Sequence, residues 1–402
     1  MKHKNLFIVF LLFLSCNVIY GNQIKIISKL IDAETNQPIE FARVCTAKSY
    51  TFSNADGEFE IVADSADVIT ISHIGYGKLK YKNGTVPATI KWNPLYYELA
   101  ETIVMPETAI IQKLNAVRNR YVQLLKHKFP TRNYYYRQLS SFKGTYYEYI
   151  ESLFITTSSV SIKDLTLLEG RYARIDSVFS VQTHSMINNY VLGRITPFSE
   201  KKAMPKKKIV TFLCKDFDKI YDISLLQIIN PGAESEIQVY KFVPKMEIVQ
   251  KGGTFLSGQL YIRTRDKSIV QVKGNVTSTT GMLLPLGTSL KEINVSWVVT
   301  YGDMGEACPI IETEKIILNM SLIRNGKEHK YRVDSFFSIS DMGIKKKGKK
   351  LKGSENLIDI LYRSNYKNSF WDNNPMIKRT DIEQKVLDEF KEKDYFKKFD
   401  VQ

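Results

Sequence analysis

The fold of the N-terminal part of the chain is decided by two short segments, SNADGEFEI at residues 53–61 and DVITISHIGY at residues 67–76. Asp56-Gly57 predicts a two-residue type I′ hairpin turn, whose central positions both have positive φ. Phe59 and Ile61 alternate with glutamates, which places two apolar side chains on one face of a strand. The second segment is rich in β-branched residues and ends at a glycine and a tyrosine. Together the two segments predict a hairpin followed by a buried strand.

Short strands broken by turn residues continue on both sides of this hairpin. The pattern predicts six strands, at Ile24–Ile31, Phe41–Ala47, Tyr50–Ser53, Glu58–Val62, Val68–Ile74 and Ala88–Trp92. Strands of this length, closely spaced and separated by turn chemistry, are typical of a β-sandwich. We therefore expect a small β-sandwich over residues 22–105.

These residues resemble the carboxypeptidase regulatory-like domain, a transthyretin-like β-sandwich of the seven-stranded type. The resemblance is carried by Lys29-Leu30-Ile31-Asp32, Thr35, Pro38-Ile39 and Ala42-Arg43-Val44, and by the fold-signature residues Asn54, Asp56, Gly57, Phe59, Gly75 and Tyr76. His73 departs from the family pattern, in which an aromatic side chain is usual. The resemblance implies a folded, non-catalytic module that is appended to exported proteins of the Gram-negative envelope.

The first 21 residues have the layout of a secretory signal peptide. Lys2 and Lys4 precede nine apolar residues, Leu6 to Leu14, and small and polar residues follow. Such a run is too short to span a bilayer as a helix. We therefore expect export, with the mature protein in the periplasm or at the outer membrane. Leu14-Ser15-Cys16 leaves open a second interpretation, in which Cys16 is lipidated.

The remainder of the chain predicts a linking helix and a larger β-domain. Apolar residues recur at helical spacing between Ile110 and Leu125, so a packed helix is expected within residues 106–130. Residues 131–402 predict a curved antiparallel β-domain, because successive strands follow without regular intervening helices. Within it, a short helix is expected at Ile220–Ile229. A C-terminal helix is expected after the capping box Thr380-Asp381-Ile382-Glu383.

The strands of this larger domain are expected at Tyr146–Thr156, Ile237–Phe242, Thr254–Thr264, Ile269–Val276, Ile293–Tyr301, Ile310–Met320 and Tyr331–Ile339. The helix before Tyr134, the Gly258–Ile262 strand and the Phe370-Trp371 segment resemble a β-domain that follows the same sandwich in a family of uncharacterised envelope proteins. By layout alone the domain also resembles the half-barrel of periplasmic lipoprotein carriers, an analogy that implies no function. The predicted fold class is mainly β, with a few helices.

The chain is basic, with a formal net charge of +15. A basic balance favours nucleic acid, an anionic membrane surface or an acidic polysaccharide as partner, and export makes nucleic acid the least favoured of the three. Lysines are concentrated in two loops that are expected to be mobile, at residues 201–208 and 344–353. Peripheral membrane contact is expected through Lys345, Lys346, Lys347, Lys349, Lys350 and Lys352.

The sequence contains no motif that predicts catalytic residues, a cofactor or a metal site. The histidines at positions 73, 127, 184 and 329 begin no zinc-ligand pattern, and no nucleophile elbow is present. The cysteines after the signal segment are three in number and far apart, which predicts buried thiols rather than a disulfide framework. A pairing of Cys214 with Cys308 stays open, as does a dyad of either thiol with His184 or His329.

The expected function is that of a non-enzymatic envelope protein, an adaptor that binds a partner protein or an apolar envelope ligand such as a lipid. Two alternatives stay open. One is a hydrolase with an unrecognised site in the β-domain. The other is a glycan-binding protein, because the chain has 23 tyrosines, clustered at Tyr134-Tyr135-Tyr136 and Tyr146-Tyr147-Tyr149, whose exposed rings would stack on sugars. The residues that bind the ligand are not predicted.

Overall fold

The computed structural model describes most of the chain after residue 22. The described residues are 23–82, 84–95, 97–99, 105–158, 160–161, 164–175, 196–207, 209–278, 287–302, 309–340, 347–352, 355–362, 370–371 and 377–396. The predicted signal peptide therefore lies outside them, as do Cys16, His184, Cys308, Lys345 and Lys346. The chain divides into two compact units. The first contains residues 23–73 and 78–92, and the second contains residues 74–77 and those from 93 onward.

The first unit is a β-sandwich of seven short strands, as predicted. The strands are β1 Gln23–Asp32, β2 Arg43–Cys45, β3 Tyr50–Phe52, β4 Glu58–Asp64, β5 Val68–His73, β6 Tyr76–Lys82 and β7 Thr89–Trp92. One sheet has the order β4-β1-β7 and the other the order β3-β2-β5-β6. The sequence pattern misses β6, because Gly77 and three lysines weaken its β-rich character.

The turn between β3 and β4 differs from the predicted type I′ hairpin. Gly57 has a φ of +76°, whereas Asp56 is not among the residues with positive φ. The Asn54 side chain sets this conformation, because its Oδ1 accepts from the N–H groups of Asp56 at 3.0 Å and Glu58 at 2.9 Å. The two strands that the turn joins also pair in different sheets. The turn therefore connects the two layers of the sandwich.

Gly57 occupies a position that requires glycine. In addition to the positive φ, a Cβ atom at this residue would lie 2.3 Å from Leu30 O. The Gly57 carbonyl in turn accepts from Leu30 N at 2.8 Å, so the turn is fastened to β1. We expect the substitution Gly57→Ala to lower the free energy of unfolding of the sandwich by about 2 kcal/mol or more, measured by urea denaturation.

Gly84 offers a matched control for this substitution in the same unit. Its φ is +83°, but no atom lies within 4 Å of the position that its Cβ would take. Gly84→Ala therefore carries only the strain of a left-handed backbone, about 1 kcal/mol. If Gly57→Ala is no more destabilising than Gly84→Ala, the close approach of Gly57 to β1 does not constrain the fold.

The second unit is built on a 12-stranded sheet. Its strands are β8 Tyr97–Leu99, β9 Arg132–Phe142, β10 Thr145–Thr156, β11 Thr166–Arg174, β12 Tyr221–Ile229, β13 Ile237–Pro244, β14 Thr254–Arg263, β15 Ser268–Ser278, β16 Thr288–Gly302, β17 Ile310–Arg324, β18 Lys327–Ser340 and β19 Lys349–Lys350. The order is β19-β11-β10-β9-β18-β17-β16-β15-β14-β13-β12-β8. These strands pair antiparallel throughout. The mainly β fold class is therefore confirmed.

The helices of the described residues are α1 Glu107–Leu124, α2 Phe217–Ile220, α3 Met246–Val249, α4 Leu357–Tyr362 and α5 Asp381–Glu392. The predicted helix at Ile220–Ile229 is wrong, because nearly all of it forms strand β12. A β-bulge between Leu225 and Gln227 shifts the register against β13 by one residue. The side-chain alternation that indicates a strand is therefore interrupted in the sequence.

Helix α1 is part of the larger unit, which corrects its predicted role as a linker. The buried Tyr121 accepts at its hydroxyl from Ile269 N at 2.7 Å, and Lys113 Nζ donates to Gln238 Oε1 at 2.5 Å. The sandwich also ends earlier than the expected residue 105. Its last strand stops at Trp92, and β8 already belongs to the large sheet, because it pairs with β12.

Helix α5 begins at the predicted capping box. Thr380 Oγ1 accepts from Glu383 N at 3.2 Å, and Thr380 N donates to Glu383 Oε2 at 2.8 Å. The buried face of the helix packs against residues of β9, β10 and β11, in a cluster that contains Val386, Leu387, Phe390, Leu139, Tyr149 and Ala173. Helix α5 therefore covers one face of these three strands. Among the described residues, no helix is both long and apolar enough to cross a membrane.

Candidate functional site

The fold-signature residues Asn54, Asp56, Gly57, Phe59, Gly75 and Tyr76 have structural roles. The first three form the turn described above, and Phe59 is fully buried in the sandwich core. Gly75 has a φ of +86°, and its carbonyl accepts from Leu95 N at 2.6 Å. Tyr76 forms an isolated bridge with Pro94. These residues shape the sandwich and the chain that leaves it.

One outer face of the sandwich presents an apolar pair beside charged side chains. Ile27 and Val62 are 52% and 44% exposed. The register pairs Ile27 with Glu60 and Lys25 with Val62, so the two aliphatic side chains are diagonal neighbours. Lys25 Nζ lies 2.8 Å from Glu60 Oε1. We call these four residues the β1–β4 face. An apolar centre with a polar rim is the usual composition of a protein-binding surface.

The large sheet carries a buried charged cluster on the face that α5 covers. Cross-strand register places Arg137 of β9 opposite Glu151 of β10, and Glu151 opposite Arg171 of β11. All three residues are buried. Arg379, just before α5, and Glu383, in its first turn, complete the group through ion pairs. We call these five residues the arginine cluster.

Glu151 lies at the centre of the arginine cluster, and both of its carboxylate oxygens are engaged. Oε2 accepts from Arg171 Nε at 2.8 Å and also from Arg171 Nη2. Oε1 accepts from Arg379 Nη2 at 2.7 Å and from Tyr135 OH at 2.5 Å. Burial opposes ionisation of Glu151, but the charges of the three arginines outweigh it. They hold the pKa of this carboxyl well below its usual range.

The arginine cluster fastens α5 to the sheet. Arg137 Nη2 lies 2.9 Å from Glu383 Oε2, the same oxygen that accepts from the N-cap amide of Thr380. From the chain just before the helix, Arg379 Nε donates to Tyr149 OH at 3.2 Å. Each carboxylate therefore joins a residue of the sheet to a residue at the start of the helix, and loss of either one would weaken this attachment.

Aromatic rings surround the guanidinium of Arg171. Its Cζ lies 5.1 Å from the ring centroid of Phe396, 5.3 Å from that of Trp371 and 5.7 Å from that of Tyr149. Attraction to these rings stabilises a cation that water does not reach. Arg171 Nη1 and Trp371 Nε1 are buried without a hydrogen-bond partner in the part of the chain that the structure describes. Native proteins leave few such donors unsatisfied.

The opposite face of the sheet holds two further buried glutamates. Glu148 Oε2 accepts from Ser140 Oγ at 2.7 Å and from Gln138 Nε2 at 3.1 Å, and Glu314 Oε1 accepts from Trp297 Nε1 at 2.7 Å. Burial raises the pKa of Glu148, and it raises the pKa of Glu314 to about 8. Glu314 therefore keeps its proton at pH 7. Both glutamates are buried, hydrogen-bonded residues of the interior of the larger unit.

The predicted tyrosine platform is wrong for five of the six residues on which it was based. Tyr134, Tyr135, Tyr136, Tyr147 and Tyr149 are buried, and Tyr146 is partly buried. Tyr134 OH donates to Ile311 O at 2.9 Å, and Tyr136 OH donates to Gln138 Oε1 at 2.6 Å. Buried rings are not free to stack on a sugar. The buried tyrosines instead pack in the interior of the larger unit, on strands that favour bulky aromatic side chains.

Among the described residues, the cysteines and histidines do not form a recognisable catalytic group. Cys214 is a buried free thiol, and burial raises its pKa to about 12, so it is a poor nucleophile at neutral pH. His329 stacks on Phe142 with ring centroids 5.6 Å apart. The other members of the predicted dyads, His184 and Cys308, lie outside the described residues. Within the described ranges, no group of three or more His, Cys, Asp or Glu side chains is placed to hold a metal ion.

The described parts of the two lysine-rich segments form hydrogen bonds and ion pairs, and their expected mobility stays a prediction. Lys349 and Lys350 form the edge strand β19, and their amino groups lie 3.2 Å from Glu355 Oε1 and 3.1 Å from Asp164 Oδ1. In residues 201–207, the amide of Lys207 donates to Met204 O at 2.9 Å and that of Thr254 donates to Pro205 O at 2.9 Å. Peripheral membrane contact stays a prediction. Because Lys349 and Lys350 already form ion pairs, this segment offers less positive charge to a membrane than the sequence suggests.

The arginine cluster could not be predicted from the sequence. One signal is present, because Glu151 alternates with Tyr149 and Leu153 and so shares their buried strand face. A buried glutamate at such a position requires a partner, either a cation or a set of hydrogen-bond donors. The identity of that partner depends on strand register and on a helix far along the chain, which local spacing does not encode.

Comparison with known proteins identifies no family for this chain. No family model matches the chain, and no curated protein matches it. Among solved structures, MucB in the crystal structure of MucB in complex with MucA(peri) is similar at 9% identity, with 58% of this chain and 94% of that chain covered and a TM-score of 0.15. A TM-score this low carries no argument. The resemblance of the sandwich to the regulatory-like domain therefore stays a prediction.

Proposed function

We propose that this chain is a non-enzymatic exported envelope protein that binds a partner protein through the β1–β4 face of its sandwich. Export is supported by the signal-peptide layout of residues 1–21. The adaptor role is supported by the resemblance to a module that is appended to exported proteins. The observation that carries the proposal is the exposure of Ile27 and Val62 beside each other on one sheet.

The β1–β4 face has the residue types that make a binding surface specific. Full burial of a large aliphatic side chain contributes about 1.5 to 3 kcal/mol, so Ile27 and Val62 would supply the affinity. The neighbouring ion pair of Lys25 and Glu60 would fix the orientation of the partner more than it adds to the affinity. An interface centred on two side chains suits a small or transient contact.

The interior of the larger unit favours a partner protein over an apolar ligand. A carrier of acyl chains needs a mostly apolar cavity with few polar groups. The face of the sheet opposite α5 instead contains buried Glu148, Gln138 and Glu314, each held by hydrogen bonds. Contact between these groups and a hydrocarbon chain would break such bonds without replacing them, at a substantial energetic cost.

Affinity purification of the tagged full-length protein from its native envelope tests this proposal. The wild type and the double variant Ile27→Glu/Val62→Glu would be cross-linked in cells, and the recovered proteins and lipids identified. Two carboxylates in the apolar centre of the face are expected to reduce partner recovery at least about tenfold. The fold is expected to persist, because both side chains lie on the outer face of the sandwich.

Val68→Glu provides the matched control. Val68 is also an exposed valine of the sandwich, at 48%, but it lies at the start of β5 in the other sheet. The control variant is expected to retain the partner. Retention by the double variant, or equal loss in Val68→Glu, would argue against the β1–β4 face. Recovery of a lipid without any protein would favour the apolar-ligand alternative instead.

A further inference from the structure

The arginine cluster contains more positive than negative charge. Arg137, Arg171 and Arg379 contribute three cations, and Glu151 and Glu383 contribute two carboxylates. The hydrogen bonds of Arg171 go to Glu151, which lies opposite it on β10, and not to Glu169 of its own strand. Among the described residues, the bonded group therefore carries one positive charge in excess. An uncompensated charge in a protein interior is strongly unfavourable.

Unsatisfied donors lie within this cluster and directly beside it. Arg171 Nη1 and Trp371 Nε1 have no partner among the described residues, although these residues are only 1% and 3% exposed. Their side chains are neighbours, with Arg171 Cζ 5.3 Å from the Trp371 ring. Arg137 Nε is a third buried donor without a partner in the described part of the chain. Excess charge and free N–H groups thus occur in one place.

We propose that the arginine cluster binds a small monovalent anion, of the halide or formate class, at Arg171 Nη1 and Trp371 Nε1. Such an ion balances the extra charge and accepts from both donors. A buried water would satisfy the donors but leave the charge uncompensated, and this difference favours an anion. The bound ion would stabilise the attachment of α5 to the sheet, independently of any partner of the sandwich.

Thermal unfolding in chloride tests the anion site. The full-length protein would be heated at constant ionic strength while sodium gluconate is replaced stepwise by sodium chloride, since gluconate is too large for the site. The wild type is expected to unfold about 2 °C or more higher in chloride. Trp371→Phe keeps a ring over Arg171 but removes the donor, so the chloride-dependent shift is expected to disappear.

Trp297→Phe is the control for the loss of a buried indole N–H. Trp297 Nε1 already donates to Glu314 on the opposite face of the sheet, so this variant is expected to keep the full chloride-dependent shift even where its overall stability falls. A shift that persists in Trp371→Phe, or one that vanishes equally in both variants, would overturn the proposal. Equal unfolding temperatures of the wild type in chloride and gluconate would overturn it as well.

Glu383→Gln supplies a test in the opposite direction. Glutamine retains an oxygen for the capping box and for Arg137, but it removes one negative charge and raises the excess to two. The chloride concentration that gives half of the shift is expected to fall about tenfold. An unchanged or higher concentration would contradict the charge argument, because a purely structural role of Glu383 changes stability without changing the affinity for chloride.

Discussion

Glu151→Gln is expected to lower the free energy of unfolding of the larger unit by about 3 to 5 kcal/mol. The substitution keeps the size of the side chain but removes the charge that Arg171 and Arg379 share. It also turns one acceptor oxygen into an NH₂ group, which then faces the N–H groups of an arginine. Urea denaturation at pH 7, followed by far-ultraviolet circular dichroism, measures the loss.

Glu60→Gln is the surface control for this substitution. The pair of Glu60 with Lys25 is partly exposed, and surface ion pairs contribute about 1 kcal/mol or less. If the two variants lose similar stability, the arginine cluster is not a buried centre of the fold. The large difference that we expect would show that charge in this protein matters most where the sheet meets α5.

The effect of Glu151→Gln should also depend on pH. Because the folded pKa of Glu151 is depressed, the stabilisation by its charge is complete above the unfolded pKa, about 4.3. That stabilisation is lost as the pH falls through the folded pKa. The stability difference between wild type and variant should therefore be constant from pH 8 to pH 5 and should shrink in more acidic solution.

Much of the fold could be predicted from local sequence patterns, because the strands and helix ends in question are set by interactions between residues close together in the chain. The alternation of Phe59 and Ile61 with glutamates places both in the core of the sandwich. The spacing of Thr380 and Glu383 gives the start of α5. Both features depend on residues within a few positions of each other. Strand β11 is harder to predict, because Gly170 weakens its pattern, and only the structure shows Leu361 packed where a Cβ would be.

The arginine cluster and the β1–β4 face depend on contacts that no local pattern contains. Arg379 is 228 positions from Glu151 in sequence, and Arg171 reaches the same carboxylate only because β11 pairs with β10 in one register. A shift of one residue would turn Arg171 to the opposite face. Ile27 likewise is an aliphatic residue of the type that usually lies in a core. It is exposed because its side chain points away from the second sheet of the sandwich.

Glu314→Gln is expected to change how stability depends on pH. Burial raises the pKa of Glu314 to about 8, whereas an unfolded glutamate titrates near pH 4.3. Between these values the folded protein holds a proton that the unfolded chain has lost. The stability from this group is therefore fully present below about pH 4.3 and is lost as the pH rises toward 8, by about 1.4 kcal/mol per pH unit.

Glutamine at position 314 has no proton to lose, and its oxygen can still accept from Trp297 Nε1. Urea denaturation at pH 5, 6, 7 and 8 should therefore give a flatter profile for Glu314→Gln than for the wild type. The variant should become the more stable protein at the alkaline end. Parallel profiles for Glu314→Gln would mean that Glu314 ionises in the folded protein near its ordinary pKa. A charged carboxylate would then have to lie in the sheet interior beside Trp297, where burial opposes it.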